Sequence, residues 1–347
     1  MKAAVLTGVR QLEVQDVPTP EPAAGALLLK VLACGVCGSD IRTFNNGHAR
    51  VRYPAIMGHE IAAEVVAAGP DAAGFSVGDR VSLGADVPCG RCEWCRQGLG
   101  NCCQENYAVG YQYPGGFAEY CLLEPNVVAQ GPIRRLPAGL DMEQAALAEP
   151  LACCLNGLER VHFAPGRSVV IIGAGPMGIS LAKAARALGS PLIVLCDLDA
   201  GRLAAARVAC ADHYLDTGAG DIQAQVLEVT AGRGADVVFT ACASPEAQED
   251  APGLAAVRGA VNFFGGLPAG ARLIQISSNL VHYRELMLTG SHGSTPRQHR
   301  LALDLIASGR VELSGVISHR FGLDEIHEAF AVAEERRGLK VLVKPHG

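Results

Sequence analysis

Aromatic residues make up only 5% of this 347-residue chain, with a single tryptophan, and charged residues only 18%. So few aromatics leave aliphatic side chains to build the core, which suits buried Val/Ile/Leu-rich strands and excludes a fibrous or disordered chain. No run of Lys and Arg offsets the net charge of −6, so neither nucleic acid nor an anionic membrane is expected as a partner. Long apolar runs are missing too: none approaches the roughly 18 residues of a transmembrane helix. The opening MKAAVLTG lacks the basic-then-apolar profile of a signal peptide, so export is not expected.

Cysteine, by contrast, is plentiful. Of thirteen, five crowd into residues 89–103 and eight scatter through apolar or Gly-rich segments, a distribution that fits a reducing cytoplasm rather than a disulfide framework. The crowded segment reads CGRCEWCRQGLGNCC, with Cys89, Cys92, Cys95 and Cys103 in a Cys-x2-Cys-x2-Cys-x7-Cys pattern. Gly90, Gly98 and Gly100 break any helix there, so the segment is a turn-rich loop able to wrap a tetrahedral Zn2+. Four thiolates leave no open coordination position, so this zinc is structural and chemistry must lie elsewhere.

The length accommodates about two domains. Residues 1 to about 150 carry short β-like runs (Ala3–Leu6, Leu27–Leu32, Ala62–Val66, Arg80–Leu83) separated by Gly and Pro, which predicts a barrel-like β domain. From about 165 strands alternate with helices: Ser168–Ile172, a helix Met177–Leu188, Pro191–Cys196, a helix Gly201–Cys210, then Val237–Thr240 and Ala260–Phe264. Continuous apolar strands separated by helices predict a covered parallel sheet. A helix at Gln298–Ser308 and an isolated strand at Lys340–Val343 come last, so the C-terminus is expected to return to the first domain.

After the first of these parallel strands comes Gly173-Ala174-Gly175-Pro176-Met177-Gly178, opening a helix. In that context G-x-G-x-x-G is a dinucleotide fingerprint: Gly173 for the turn, Gly175 for approach of a pyrophosphate, Gly178 for close helix–strand packing. Asp197 ends the next strand, at the offset of a ribose-binding acid, and predicts NAD over NADP. Arg202 complicates this, since a nearby Arg can hold a 2′-phosphate or pack on the adenine.

Three further segments carry metal-ligand types: Cys37 in CGVCGSD, His59 and Glu60 in MGHE, Glu149 in LAEP. Singly, Cys37 reads as a small buried hydrophobe, His59 as a core histidine and Glu149 as an exposed helix-entry acid. Together they offer thiolate, imidazole and carboxylate, and three protein ligands plus water is how a catalytic zinc keeps a position open.

With GHEIAAEVVAAG, VGDRV, GGFAEY, EPLACCLNGL and KVLVKP added, the whole chain resembles the zinc-containing medium-chain dehydrogenases of the alcohol dehydrogenase superfamily, in their sorbitol/polyol dehydrogenase branch. The resemblance implies an α/β protein. Its β-rich GroES-like catalytic domain would span 1–150, completed by 294–347, with a doubly wound Rossmann domain over 151–293. Cys37, His59 and Glu149 would hold catalytic zinc with Glu60 beside the metal, the order of the two acids staying open. Cys153 and Cys154, just past Glu149, should point to other helix faces. Gly265, Gly266 and Leu267 in FFGGLP would join Gly173, Gly175, Pro176, Met177, Gly178, Asp197 and Arg202 around NAD.

The implied reaction is oxidation of a secondary alcohol of a polyol, its hydroxyl acidified by zinc and its hydride passed to nicotinamide. Ser39 is placed to start a proton relay, although GSD is also an ordinary turn. His48 is a candidate for a later relay or substrate contact. Substrates of cyclitol, sugar-alcohol-phosphate or threonine type share the scaffold, and a non-catalytic NAD(H)-binding redox sensor is the rival of another class. Arg42, Arg50 and Arg52 could meet a phosphate but read as a solvated loop face. Relatives form dimers or tetramers through cofactor-domain edge strands, and Glu285–Gly290 is such a strand.

Overall fold

Leu27–Gly35 is apolar at nearly every position because it is buried along almost its whole length at the centre of a sheet. The computed structural model describes residues 1–72, 74–268, 270 and 273–346. The chain divides into two units: Met1–Ala152 with Gly293–Gly347, and Cys153–His292.

In the first unit Leu27–Gly35 pairs antiparallel with Glu60–Ala68, Tyr120–Leu123 and Lys340–Lys344. Arg80–Leu83 and Ile133–Arg135 extend the sheet on one side and Ile317–Gly322 on the other, giving seven strands. Two register shifts in the pairing with Glu60–Ala68 bend the central strand, as bulges do. At the end of that strand Gly35 sits opposite Glu60 on one neighbour and opposite Leu342 on the other. A smaller sheet of Gln11–Asp16, Lys2–Gly8 and Ala55–Ile56 lies in the same unit. The core is aliphatic, with Leu6, Leu29, Met57 and Ile61 around Phe117 and Phe330, whose rings meet edge-on at 5.7 Å. Fully burying one such side chain is worth roughly 1.5–3 kcal/mol.

The second unit holds six parallel strands in the order His213–Asp216, Ile193–Asp197, Val169–Ile172, Ala235–Thr240, Ala255–Phe263, Met287–Gly290. Val169–Ile172 is buried throughout, as its unbroken VVII predicts. Chain connections leave that strand in both directions, so its carboxyl end is the topological switch point where such sheets bind ligands. Helix Pro176–Ala187 packs on Val169–Ile172 and Ile193–Asp197, and Pro245–Leu254 on the next two strands.

Some elements differ from the sequence reading. The helix expected over Gly201–Cys210 ends at Ala205 and tightens into a 3-10 turn over Ala206–Ala209, with Cys210 left-handed at φ 54°. Helices Ile222–Val229 and Pro245–Leu254 went unseen because they are short. What starts them is capping: Asp221 Oδ1 accepts from Gln223 N at 2.8 Å and Ser244 Oγ from Ala247 N at 3.1 Å. Among the described residues no helix is long and apolar enough to cross a membrane.

Candidate active site and metal centres

The cofactor turn shows why its glycines are needed. Gly173 has φ +114°, and a Cβ there would come within 2.9 Å of Ala241 O. At Gly178 a Cβ would lie 1.8 Å from Gly173 O, so only glycine lets the helix pack so close to the strand. Gly175 caps the 12-residue helix Pro176–Ala187, with Pro176 in its first turn and Met177 next. The first free backbone N–H groups therefore face the turn, the arrangement that binds pyrophosphate. Three carboxyl-end loops are laced together by hydrogen bonds of 2.7 Å each, Gly173 N to Cys196 O, Ala241 N to Ile172 O and Gly265 N to Thr240 O. Gly266 and Leu267 come directly after.

Asp197 is buried at the end of its strand. Its Oδ2 accepts from Ala174 N at 2.8 Å and its Oδ1 from Asp199 N at 3.1 Å, which aims the carboxylate at the turn with lone pairs to spare. The Arg202 guanidinium is the nearest group to Gly175's missing side chain, and its buried Nε has no hydrogen-bond partner. A turn without side chains, an acid and an under-satisfied Arg fit a dinucleotide.

In the first unit Cys37 caps helix Gly38–Asn46, and Asp40 reaches back so that its Oδ2 accepts from Cys37 N at 2.9 Å. The other oxygen of Asp40 lies 3.4 Å from His59 Nδ1, fixing the ring with Nε2 turned the other way. Such an acid-to-histidine contact orients and strengthens a metal-binding imidazole. Burial disfavours a charged His59, but the Asp40 carboxylate and the Cys37 thiol outweigh it and raise its pKa well above the ordinary value. Ser39 Oγ stands 3.4 Å from His59 Nε2.

Glu60 is fully buried, and both its oxygens accept from Lys340 Nζ, at 2.6 and 2.8 Å. Lys340 also donates to Val36 O at 3.3 Å. Room for the Glu60 carboxylate exists because its strand partner is Gly35: a Cβ there would fall 1.9 Å from Oε2. Sulfur, imidazole and carboxylate atoms of Cys37, His59 and Glu60 all lie within 4.8 Å of one another. A half-buried thiol with a buried imidazole and carboxylate at that spacing fits zinc. Glu149, the acid favoured from sequence, is buried but outside that group, and outside it too are half-buried Cys153 and buried Cys154. Burial, reinforced by the Glu60 charge and opposed by His59 and Lys340, pushes Glu149 up to about 7.

The four lobe thiols also lie within 4.8 Å of one another, with Cys92 Sγ 3.4 Å from Cys95 Sγ and 4.0 Å from Cys103 Sγ. Backbone N–H donors from Gln104 and Cys95 hold the Cys92 thiol down to about 6, while burial pushes Cys95 up to about 12. Cys102 is exposed and outside the group. None of the thirteen cysteines is in a disulfide.

Several functional neighbours escaped the sequence reading. Asp40 hides in the GSD run scanned for Ser39. Gly35 could have been found as a glycine ending an apolar strand, a mark of close approach, and Lys340 as a lysine opening a buried one, which demands an acidic partner. Tyr111 is a third case, its ring 5.8 Å from that of His59 and 5.1 Å from that of His48. His48 is itself exposed. The loop-face expectation for the arginines holds only for Arg52: Arg42 is exposed on helix Gly38–Asn46, and Arg50 is half-buried and bonded to Asn106 O.

Comparison with known proteins agrees with this geometry. Residues 23–133 match the alcohol dehydrogenase GroES-like domain and residues 176–308 the zinc-binding dehydrogenase domain. The sorbitol dehydrogenase of Halalkalibacterium halodurans is 33% identical over 349 residues, 99% of each chain. The chain belongs to the zinc-binding alcohol dehydrogenase family. The L-threonine 3-dehydrogenase of Pyrococcus horikoshii is 34% identical over 339 residues, 95% of this chain and 94% of that one. A zinc-binding dehydrogenase of Sinorhizobium meliloti, solved with NADP bound, superposes with a TM-score of 0.91 at 34% identity over 99% of each chain. Membership makes the protein an alcohol-oxidising enzyme using a nicotinamide cofactor and zinc.

Proposed function

We propose that this enzyme oxidises a secondary hydroxyl of a polyol or sugar alcohol to the ketose, with NAD as acceptor and zinc held by Cys37, His59 and Glu60. One observation carries the reading: a half-buried thiol and a buried imidazole and carboxylate within 4.8 Å of one another, with the Ser39 hydroxyl 3.4 Å from His59 Nε2. When bound, the zinc supplies Lewis acidity to the substrate hydroxyl and the nicotinamide takes the hydride. Asp40 orients the His59 ring, Lys340 holds both oxygens of Glu60 in place, and Ser39 is the first step of a proton relay, taking the hydroxyl proton as it gives its own onward to solvent. Glu149 stays outside the ligand set as a second buried carboxyl. Cys89, Cys92, Cys95 and Cys103 hold a second, structural zinc.

The sorbitol dehydrogenase relative supports the polyol substrate, and Asp197 supports NAD through the ribose hydroxyls. The edge strand Met287–Gly290 is suited to pairing with a second copy in a dimer or tetramer. Thirteen reduced cysteines suit the cytoplasm.

A panel of sorbitol, xylitol, inositols, their phosphates and threonine, read as NADH absorbance, tests this reading. A vicinal polyol is expected to give the highest kcat/KM with NAD; preference for threonine, or no turnover of any alcohol, sinks it. Asp197→Ala should lower the NAD-to-NADP ratio of kcat/KM by about tenfold or more, the value of a charge-assisted hydrogen bond. An unchanged ratio would remove Asp197 from cofactor selection.

A further inference from the structure

Arg50 is none of the proposed ligands, yet it is half-buried and held by a hydrogen bond and a ring contact. Its Nη1 donates to Asn106 O at 2.5 Å, and its guanidinium carbon lies 5.2 Å from the Tyr111 ring centroid. The chain holds it from behind, since Arg50 N donates to His48 Nδ1 at 3.1 Å and Val51 N to His48 O at 3.0 Å. Only a planar guanidinium can cover a ring and reach a carbonyl with its fork at once; a lysine ammonium does one or the other.

What Arg50 touches leads both ways. Toward the reaction, Tyr111 projects from a tight turn in which Gly110 N donates to Tyr113 O at 2.9 Å. Gly110, at φ +78°, packs on the Gly58 backbone so closely that a Cβ would meet it at 3.0 Å. Tyr111 is thereby set beside His59, their ring centroids 5.8 Å apart. Toward the lobe, Asn106 follows the lobe ligand Cys103 by three residues, and Cys103 is tied back to the start of the lobe because Cys89 N donates to its Sγ at 3.3 Å.

We propose that Arg50 is a positioning residue: it clamps Tyr111 against His59 and, through Asn106, ties that wall of the substrate site to the cysteine lobe. The proposal rests on the polyol function for its kinetic arm only. The lobe then does more than staple a surface. Its folding decides where Asn106 O stands, and Asn106 O decides where Arg50 presses on Tyr111.

The test uses the zinc-loaded full-length enzyme with Arg50→Met, Arg50→Lys, Tyr111→Leu and the Arg50→Met/Tyr111→Leu double variant. Arg50→Met should raise KM for the best panel polyol about tenfold with kcat within about twofold and two zincs per chain retained; Arg50→Lys should recover part of the loss. In the Tyr111→Leu background Arg50→Met should add less than about twofold, because it acts through the ring. Multiplying effects, or a loss confined to phosphorylated substrates, overturns the clamp, since Arg50 would then act alone or bind substrate itself. Hydrogen–deuterium exchange of the 106–113 segment supplies an arm independent of turnover. It should quicken about tenfold in Arg50→Met (Arg50→Lys if the former does not fold) while Val169–Ile172 stays unchanged. Failure of the panel with quickened exchange faults the reaction, whereas unaltered exchange faults the clamp.

Discussion

Replacing Cys37 with serine is expected to lower kcat/KM for the polyol by about a thousandfold or more while the protein stays folded. Serine suits the cap of helix Gly38–Asn46 at least as well as cysteine, so the local backbone has no reason to unravel. What it removes is the one soft donor of the Cys37, His59, Glu60 set. Lewis-acid stabilisation of developing charge is worth several kcal/mol, and about 4 kcal/mol corresponds to three decades in rate. Steady-state NADH production, with circular dichroism as the folding check, measures the effect. A folded serine variant within about tenfold of wild type would show that Cys37 is not a ligand of the reacting metal.

Lys340→Met should be the most destabilising substitution in the first unit. Lys340 is 5% exposed and Glu60 0%, so methionine would strip a buried carboxylate of the ammonium that both its oxygens accept from. Breaking a buried pair by removing one member costs about 3–5 kcal/mol. Burial alone would lower the Lys340 pKa, yet the Glu60 and Cys37 charges outweigh it and raise it, so the ammonium belongs to this cluster. Urea unfolding monitored by circular dichroism reads the loss as a lower midpoint. The Lys340→Met/Glu60→Gln double variant should regain much of it, because a neutral amide tolerates the apolar neighbour better than a carboxylate. A midpoint equal to wild type in the single variant, or no recovery in the double, argues against an energetically coupled pair.

These two residues also mark where sequence reading succeeds and where it stops. The parallel sheet is legible because its strands VVII and IVLCD are buried continuously, and the β-rich catalytic unit because its strands alternate with Gly and Pro. The cofactor turn is equally plain, since six consecutive residues contain its geometry. The cysteine lobe needs only fifteen. Cys37 and His59, by contrast, acquire meaning only together, and they come from a helix cap and a strand entry that the fold brings into contact. Lys340 and Glu60 are 280 residues apart, and nothing local links them. Their pairing arises from strand neighbours, with Glu60 facing Gly35 and the Lys340–Lys344 strand entering on the other side of Gly35. Glu60 and Glu149 raise the same difficulty: both are acids in metal-ligand segments, and only in three dimensions does Glu60 stand with Cys37 and His59 while Glu149 lies outside that group. Helix ends such as Ala205 and caps such as Asp221 were missed for a smaller reason, because a few tenths of a kcal/mol per residue decide where short helices stop.

Metal content tests the central claim most directly. Elemental analysis of the purified wild type, Cys37→Ser and Cys92→Ser, each paired with NADH production, separates the two sites. Wild type should carry two zincs per chain. Cys37→Ser should carry one and be inactive with its melting temperature little changed, whereas Cys92→Ser should lose thermal stability first. A Cys37→Ser protein that still binds two zincs and oxidises the polyol would contradict the account.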